Sequence, residues 1–204
     1  AGVPARIFRI SFAGELSFEI NVNANYGFQV WESVMEAGEE FGIMPYGTEA
    51  MHVLRAEKGY VIVGQDTDGT VTPIDLNLGW MIGKKKKDFI GKRSLTRSDI
   101  VRKDRKQLVG LVPVNKAYGI EEGQQVIEEE DLPTPIKKPI KMLGHVTSSY
   151  FSPTLNQCVA MALVKGGNRK IGSQLFVSTE NLNTIAVEVV KPNFIDPENE
   201  RLTS

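Results

Sequence analysis

Glu19 is the first side chain whose position lends itself to chemistry. In RISFAGELSFEI, residues 9–20, Leu16, Phe18 and Ile20 alternate with Ser17, Glu19 and, one step on, Asn21. Strand side chains change sides at every residue, so the apolar set defines one face and the carboxylate the other. That second face is either solvated or turned toward a ligand. Trp80, after Leu78-Gly79, is large and amphipathic, and either plugs a core or walls a pocket for a flat ligand. Arg55 and Glu57 stand beside a Gly-containing bend and read as buried polar ties between helix and sheet, not as an acid–base pair on a substrate.

The remaining reactive side chains point to bland roles. His52 and His145 have no ligand-type companion three or four residues away, so structural or surface positions are expected and no metal site. Cys158 lies in the apolar run QCVAMALV and reads as a buried, inert thiol. QDTDG, residues 65–69, opens like a calcium loop but lacks the later ligand positions, which leaves solvated turn acids as the expectation. Lys84 to Lys87 either attract an anionic ligand tail, at about 1 kcal/mol per exposed contact at best, or form a wet edge. GxSxG, HExxH, P-loop and GxGxxG patterns are all missing from the chain, and no catalytic residue is assigned.

The elements that must position these residues change character along the chain. Arg6 to Val22 reads as two short strands bent at Ala13-Gly14. An amphipathic helix follows, with Phe28, Trp31 and Val34-Met35 on the stripe that docks against a sheet. After Pro45-Tyr46-Gly47, TEAMHVLRAEKG forms a second helix capped by Gly59, then a strand-like YVIVG and a turn-rich DTDGTVTP. Residues 75–104 read as a connecting segment with a helix around Lys92 to Val101. From Lys106 on, LVGLVPV, QQVIEE, HVTSSYF, VAMALV, QLFVS and IAVEVV are short apolar strands between Gly, Pro and Asn turns, the pattern of a small β-barrel or sandwich. The tail from Pro192 is polar and aperiodic, and reads as a wrapped or disordered end.

Bulk properties narrow the partners. With 204 residues and 41% hydrophobic content the chain suits one or two globular domains. A net charge of −1 offers no field for nucleic acid or an anionic membrane, and no apolar run approaches a membrane span. A single cysteine forms no internal disulfide and suits the cytoplasm. The chain opens without Met and falls at once into a strand that needs pairing partners, so a piece of something longer is expected.

FAGELSFEI, PYGTEAMHVLRAEKG, GQDTDGTVTP and LGWMIGKKKKDFIGKRSL, in this order, resemble the folate-binding aminomethyltransferase family; RKQLVGLVP and GHVTSSYFSPTLNQCVAMALV resemble its C-terminal barrel. The resemblance covers nearly the whole chain. It implies an α+β fold, the C-terminal part of the folate-binding aminomethyltransferase fold followed by a small antiparallel β-barrel. The implied division is 1–74 for the folate-binding part, 75–104 for the connection, 105–192 for the barrel and 193–204 for the tail. MHVLRAEKGYVIVGQDTDGT most resembles the branch of sarcosine oxidase α subunits. Glycine-cleavage members carry a related RLEAG-type segment with arginine where this chain has Met51, which weighs against that branch and removes one polar contact to folate.

By resemblance, Glu19 is the glutamate that hydrogen-bonds the pterin of tetrahydrofolate, Phe12 flanks the ring and Trp80 lies near the pocket. Arg55, Glu57 and Gly59 are structural. The family's aspartate beside the reactive folate nitrogen would precede Ala1. FAD, FMN and NAD are expected on other domains or subunits, and the implied partners are the rest of the α subunit, its sister subunits, sarcosine and folate. The implied reaction is oxidative demethylation of sarcosine to glycine, the one-carbon unit being trapped as 5,10-methylenetetrahydrofolate or released as formaldehyde, with this piece alone inactive. Alternatives are a folate-free scaffold of the same fold, or part of a dimethylglycine-oxidising enzyme or a glycine-cleavage aminomethyltransferase.

Overall fold

The computed structural model describes residues 1–128, 140–180 and 183–203, so Glu129, which ends the QQVIEE run, and Ser204 lie outside the described residues. The chain divides into two compact units, Ala1–Arg55 with Asp196–Ser204, and Ala56–Ile195. The α+β architecture with a C-terminal antiparallel barrel is the expected one.

In the first unit, β1 (Arg6–Phe8) pairs antiparallel with β2 (Glu19–Asn21), so the expected hairpin exists but its strands are short. Leu16 and Phe18 fall outside β2. The Leu16 N–H is drawn instead to the carbonyl of Arg201 at 3.0 Å, in the C-terminal segment. Of the two expectations for the tail, wrapped or disordered, its contacts match the first. Asp196 accepts the N–H of Glu200 at 2.9 Å and of Arg201 at 3.3 Å, and Arg201 pairs with Glu15 at 3.0 Å. Helix α1 (Gly27–Gly38) forms where the apolar spacing places it. Its stripe does not dock as expected: Phe28, Trp31 and Val34 are exposed. Helix α2 spans Thr48–Glu57.

The second unit is built on six strands, β3 (Lys106–Pro113), β4 (Gln125–Ile127), β5 (Gly144–Ser152), β6 (Gln157–Lys165), β7 (Gln174–Ser178) and β8 (Thr184–Val190). They close a barrel in the order β3-β6-β5-β4-β7-β8, with β8 returning to β3, and each neighbouring pair runs antiparallel. Closure leaves no unpaired edge within the ring. Inward alternation fills it: Val109, Leu111, Val146, Ala160, Ala162, Val164, Val177 and Val187 all lie in one buried cluster.

Strand β6 reads as one continuous apolar run because both of its faces are covered. Leu163 and Met161 point outward with Leu108 and meet Val61, Val71, Leu76 and Phe194. This explains the fate of YVIVG, expected as a strand. Its backbone forms no ladder; Val61 packs on the outer barrel wall and the Ile62 N–H donates to Asp66 Oδ2 at 2.8 Å. Gly110 permits the covering, since a Cβ there would stand 2.8 Å from the Phe194 ring. The helix expected around Lys92 to Val101 is also replaced, by turns and a single 3₁₀ turn at Ser94–Thr96.

Polar ties pin residues 56–78 to the barrel. Asp66, expected as a solvated turn acid, is fully buried and accepts hydroxyls from Thr147 and Ser148, both at 2.6 Å. Consecutive strand side chains normally diverge. Here the β5–β6 register shifts between Val146 and Ser148, and this bulge at Thr147 turns both hydroxyls to one carboxylate oxygen. Asp68, by contrast, is exposed, and hydrogen bonds from Thr70 hold its carboxyl below the usual range. Glu57 is the buried tie foreseen for it, accepting the Ser152 hydroxyl at 2.5 Å. Gly59 closes α2 at φ +72, and a Cβ there would meet the Pro192 carbonyl at 2.3 Å.

Asp75 and Arg105 form the other anchor. Both oxygens of Asp75 face the guanidinium, the shortest contact being 2.7 Å, with side-chain exposures of 14% for Arg105 and 5% for Asp75. Burial alone would raise the Asp75 pKa, but hydrogen bonds from Arg105 and Thr72 prevail and hold it below its ordinary 3.8.

Two outcomes follow for stability. Asp66→Ala removes the carboxylate that accepts from two buried hydroxyls and the Ile62 N–H, and is expected to lower the unfolding free energy by about 3 kcal/mol in urea titration. A folded-state pKa below the unfolded one stabilises above the unfolded value, and that stability fades as pH falls through the folded one. Asp75→Asn is therefore expected to destabilise by about 3 kcal/mol at neutral pH. Its deficit against wild type narrows as the titration is repeated below pH 3.8.

Candidate folate-facing site

The hairpin that carries Glu19 is short, and its register decides which side chains share a face. Cross-strand partners in an antiparallel pair lie on the same side of the sheet. Phe8 is opposite Glu19 and Arg6 is opposite Asn21, so these four side chains share one face, while the Ile7–Ile20 pair takes the other. Both faces are open: Ile7 is 62% exposed and Ile20 43%. Within these residues the apolar face is thus exposed as well as the polar one.

On the Glu19 face the Asn21 amide donates to Glu19 Oε1 at 2.8 Å. This is the i, i+2 proximity that strand alternation requires. Glu19 is exposed, so it stands as an acceptor-only group able to receive two N–H donors. Phe12 lies in the connection between the strands, in a turn closed by the Gly14 N–H donating to Ser11 Oγ at 2.9 Å. Its ring is 38% exposed.

Trp80 belongs to the second unit, in a single 3₁₀ turn at Gly79–Met81, and is 75% exposed, so it plugs no core. Phe12 and Glu19 are thus carried by one hairpin and Trp80 by the other unit. Lys84 to Lys87 are exposed around a turn in which the Lys86 N–H meets the Gly83 carbonyl at 3.0 Å.

Reading the linear pattern missed Arg6 and Phe8 as companions of Glu19. Asn21 was visible as a same-face residue. Phe8 and Arg6 join that face only through the β1–β2 register. Away from the hairpin, burial and the Lys106 charge outweigh Asp68 and lower the His145 pKa. Cys158 is buried, as its apolar run implied. Among the described residues no three His, Cys, Asp or Glu side chains converge as a metal site, and no helix is long and apolar enough to cross a membrane.

Two domain models match the chain. Residues 1–86 match the GCVT N-terminal domain, and residues 106–196 match the glycine cleavage T-protein C-terminal barrel domain. The sarcosine oxidase α subunit of Corynebacterium sp. (strain U-96) is 48% identical over 98% of this chain. That of Rhizobium meliloti is 39% identical over 96%. The chain spans only 20% of either relative. The aminomethyltransferase of Halothermothrix orenii is 34% identical over 95% of this chain, which spans 51% of it. The crystal structure of the glycine cleavage system aminomethyltransferase T from Bartonella henselae superposes with a TM-score of 0.78 at 26% identity, covering 93% of this chain and 49% of that one. Through its two matched domains, the chain belongs to the aminomethyltransferase family.

Proposed function

We propose that the chain is the tetrahydrofolate-binding C-terminal portion of a sarcosine oxidase α subunit. The observation that carries this reading is the 48% identity that runs through 98% of the chain to such subunits. The whole enzyme then demethylates sarcosine oxidatively to glycine, and the one-carbon unit leaves as 5,10-methylenetetrahydrofolate or as formaldehyde. Tetrahydrofolate supplies, when bound, the amine nucleophile for that unit. FAD, FMN and NAD belong to other parts of the assembly, whose location is the cytoplasm.

The residues present suit the pterin. Its aminopyrimidinone edge offers parallel N–H donors, and Glu19 is a carboxylate on an open face with one oxygen already oriented by Asn21. Phe8, directly opposite Glu19, and Phe12, in the connecting turn, present partly exposed rings to stack on a flat heterocycle. Trp80, an exposed indole on the second unit, is the third residue that the family resemblance assigns to folate. In this reading the chain's residues bind and orient the folate, and leave the covalent chemistry to the reacting molecules.

The first unit also supports a larger polypeptide. Among its described residues only Gly14 and Arg55 are buried, while Phe28 is 74% exposed and Trp31 55%. A two-stranded hairpin and an uncovered amphipathic helix do not make a core. Further sequence of the same polypeptide, of the kind that fills the other four-fifths of the α-subunit relatives, covers them.

Titrating the intact complex with tetrahydrofolate tests the site. Glu19→Gln keeps the shape and removes the charge, and is expected to weaken binding roughly 10- to 100-fold. Asn21→Ala weakens it by less than tenfold. Equal binding by wild type and Glu19→Gln removes Glu19 from the site; no binding by either favours the folate-free scaffold. For the covering, acrylamide is expected to quench Trp31 emission in the 204-residue chain and to lose access to it in the complete α subunit, read with Trp80→Phe as background. Equal quenching in both rejects the covered face.

A further inference from the structure

A cleft of about 260 Å³ opens at one end of the barrel, lined by none of the residues assigned to folate. Small-molecule sites run from about 300 to 1,000 Å³ and favour barrel mouths, so this one is sized for a compact ligand. Its walls are Lys116 and Tyr118, from the connection between β3 and β4, and Ser149, Tyr150, Phe151 and Cys158, from β5 and β6.

The register explains why the cleft exists. Phe151 lies directly opposite Cys158, so both side chains share a face, and Cys158 belongs to the inner cluster of the barrel. At this end the inner wall changes from aliphatic to small and polar. The Ser149 hydroxyl donates to the Ile120 carbonyl at 2.6 Å, and the Ile120 N–H reaches Cys158 Sγ at 3.4 Å. These bonds hold the 116–120 connection across the opening without filling it. Tyr118 and Phe151 remain 54% and 58% exposed, two rings on the rim of an otherwise well-packed barrel.

Chemistry selects the ligand class. The floor polar groups already bond to one another, so the interior favours an apolar, polarisable body. The rings favour a planar one. Among the described residues lining the cleft, Lys116 is the only charged one, and its sign favours an anion. We propose that this barrel mouth is a second binding site, taking a small planar carboxylate with its ring between Tyr118 and Phe151 and its carboxylate at Lys116.

Benzoate, with benzyl alcohol as its neutral counterpart, is the probe, observed by saturation-transfer NMR on the intact protein. Benzoate is expected to bind with a millimolar dissociation constant. Lys116→Gln should weaken benzoate roughly three- to fivefold and leave benzyl alcohol unchanged. Tyr118→Ala, at an exposed position, should weaken both. Saturating tetrahydrofolate should displace neither, whatever the fate of the folate reading. No transfer to benzoate at about 10 mM overturns the proposal. So does displacement by tetrahydrofolate, or binding that Tyr118→Ala leaves intact.

Discussion

The carboxylate of Asp66 at the β5 bulge is the interaction on which the second unit's construction depends. A barrel that closes on itself satisfies its backbone but leaves an outer wall, and on β3 and β6 that wall is apolar: Leu108, Met161 and Leu163. Something must cover it. Residues 56–78 do so as irregular chain, and irregular chain must find partners for its own N–H groups. Asp66 solves both problems at one point. It accepts the Ile62 N–H on one oxygen and two barrel hydroxyls on the other. The bulge makes that double contact possible, since a regular strand would send Thr147 and Ser148 to opposite sides.

The neighbouring ties act in the same direction. Leu108 donates its N–H to the Asp75 carbonyl at 2.8 Å while its own carbonyl accepts from Asn77 at 2.9 Å, so the covering segment extends the hydrogen bonding of β3. Arg105, one residue before β3, holds the Asp75 side chain. Glu57 adds Ser152 at the end of β5, and its carbonyl receives the N–H groups of Phe194 and Ile195 at 3.0 Å. The contrast with the first unit is sharp. There the ties are surface pairs such as Glu15–Arg201, with both side chains about half exposed, and apolar side chains stay uncovered.

Legibility followed the range of the interactions. The six barrel strands were visible because their apolar runs are local and turn-bounded. The pairing of Glu19 with Asn21 on one face followed from alternation alone. YVIVG has the composition of a strand, but Val61 is used to pack on the barrel rather than to pair, and composition does not distinguish these uses. Asp66 looked like a wet turn acid because its hydroxyl partners lie 81 and 82 residues away. Phe8 and Arg6 joined the Glu19 face only through strand register. The helix expected from Lys92 to Val101 gives way to short turns, in which Leu95 and Ile100 alone are half-buried. Glu19 and Trp80 stood out locally as candidates, but the folate role expected of them and of Phe12 came through family resemblance, since an exposed carboxylate and two aromatic rings do not specify a ligand.

The division of the chain has a temporal side. The barrel-bearing unit is contiguous, Ala56–Ile195, whereas the first unit joins Ala1–Arg55 to Asp196–Ser204. Its tie between Glu15 and Arg201 spans 186 positions. A ribosome releases the chain from its N-terminus, so every residue of the barrel leaves the exit tunnel before Arg201 does. Ala1–Arg55, translated before the barrel, therefore acquires its complete set of contacts only after it. Until then the hairpin bearing Glu19 lacks the strap that holds Leu16.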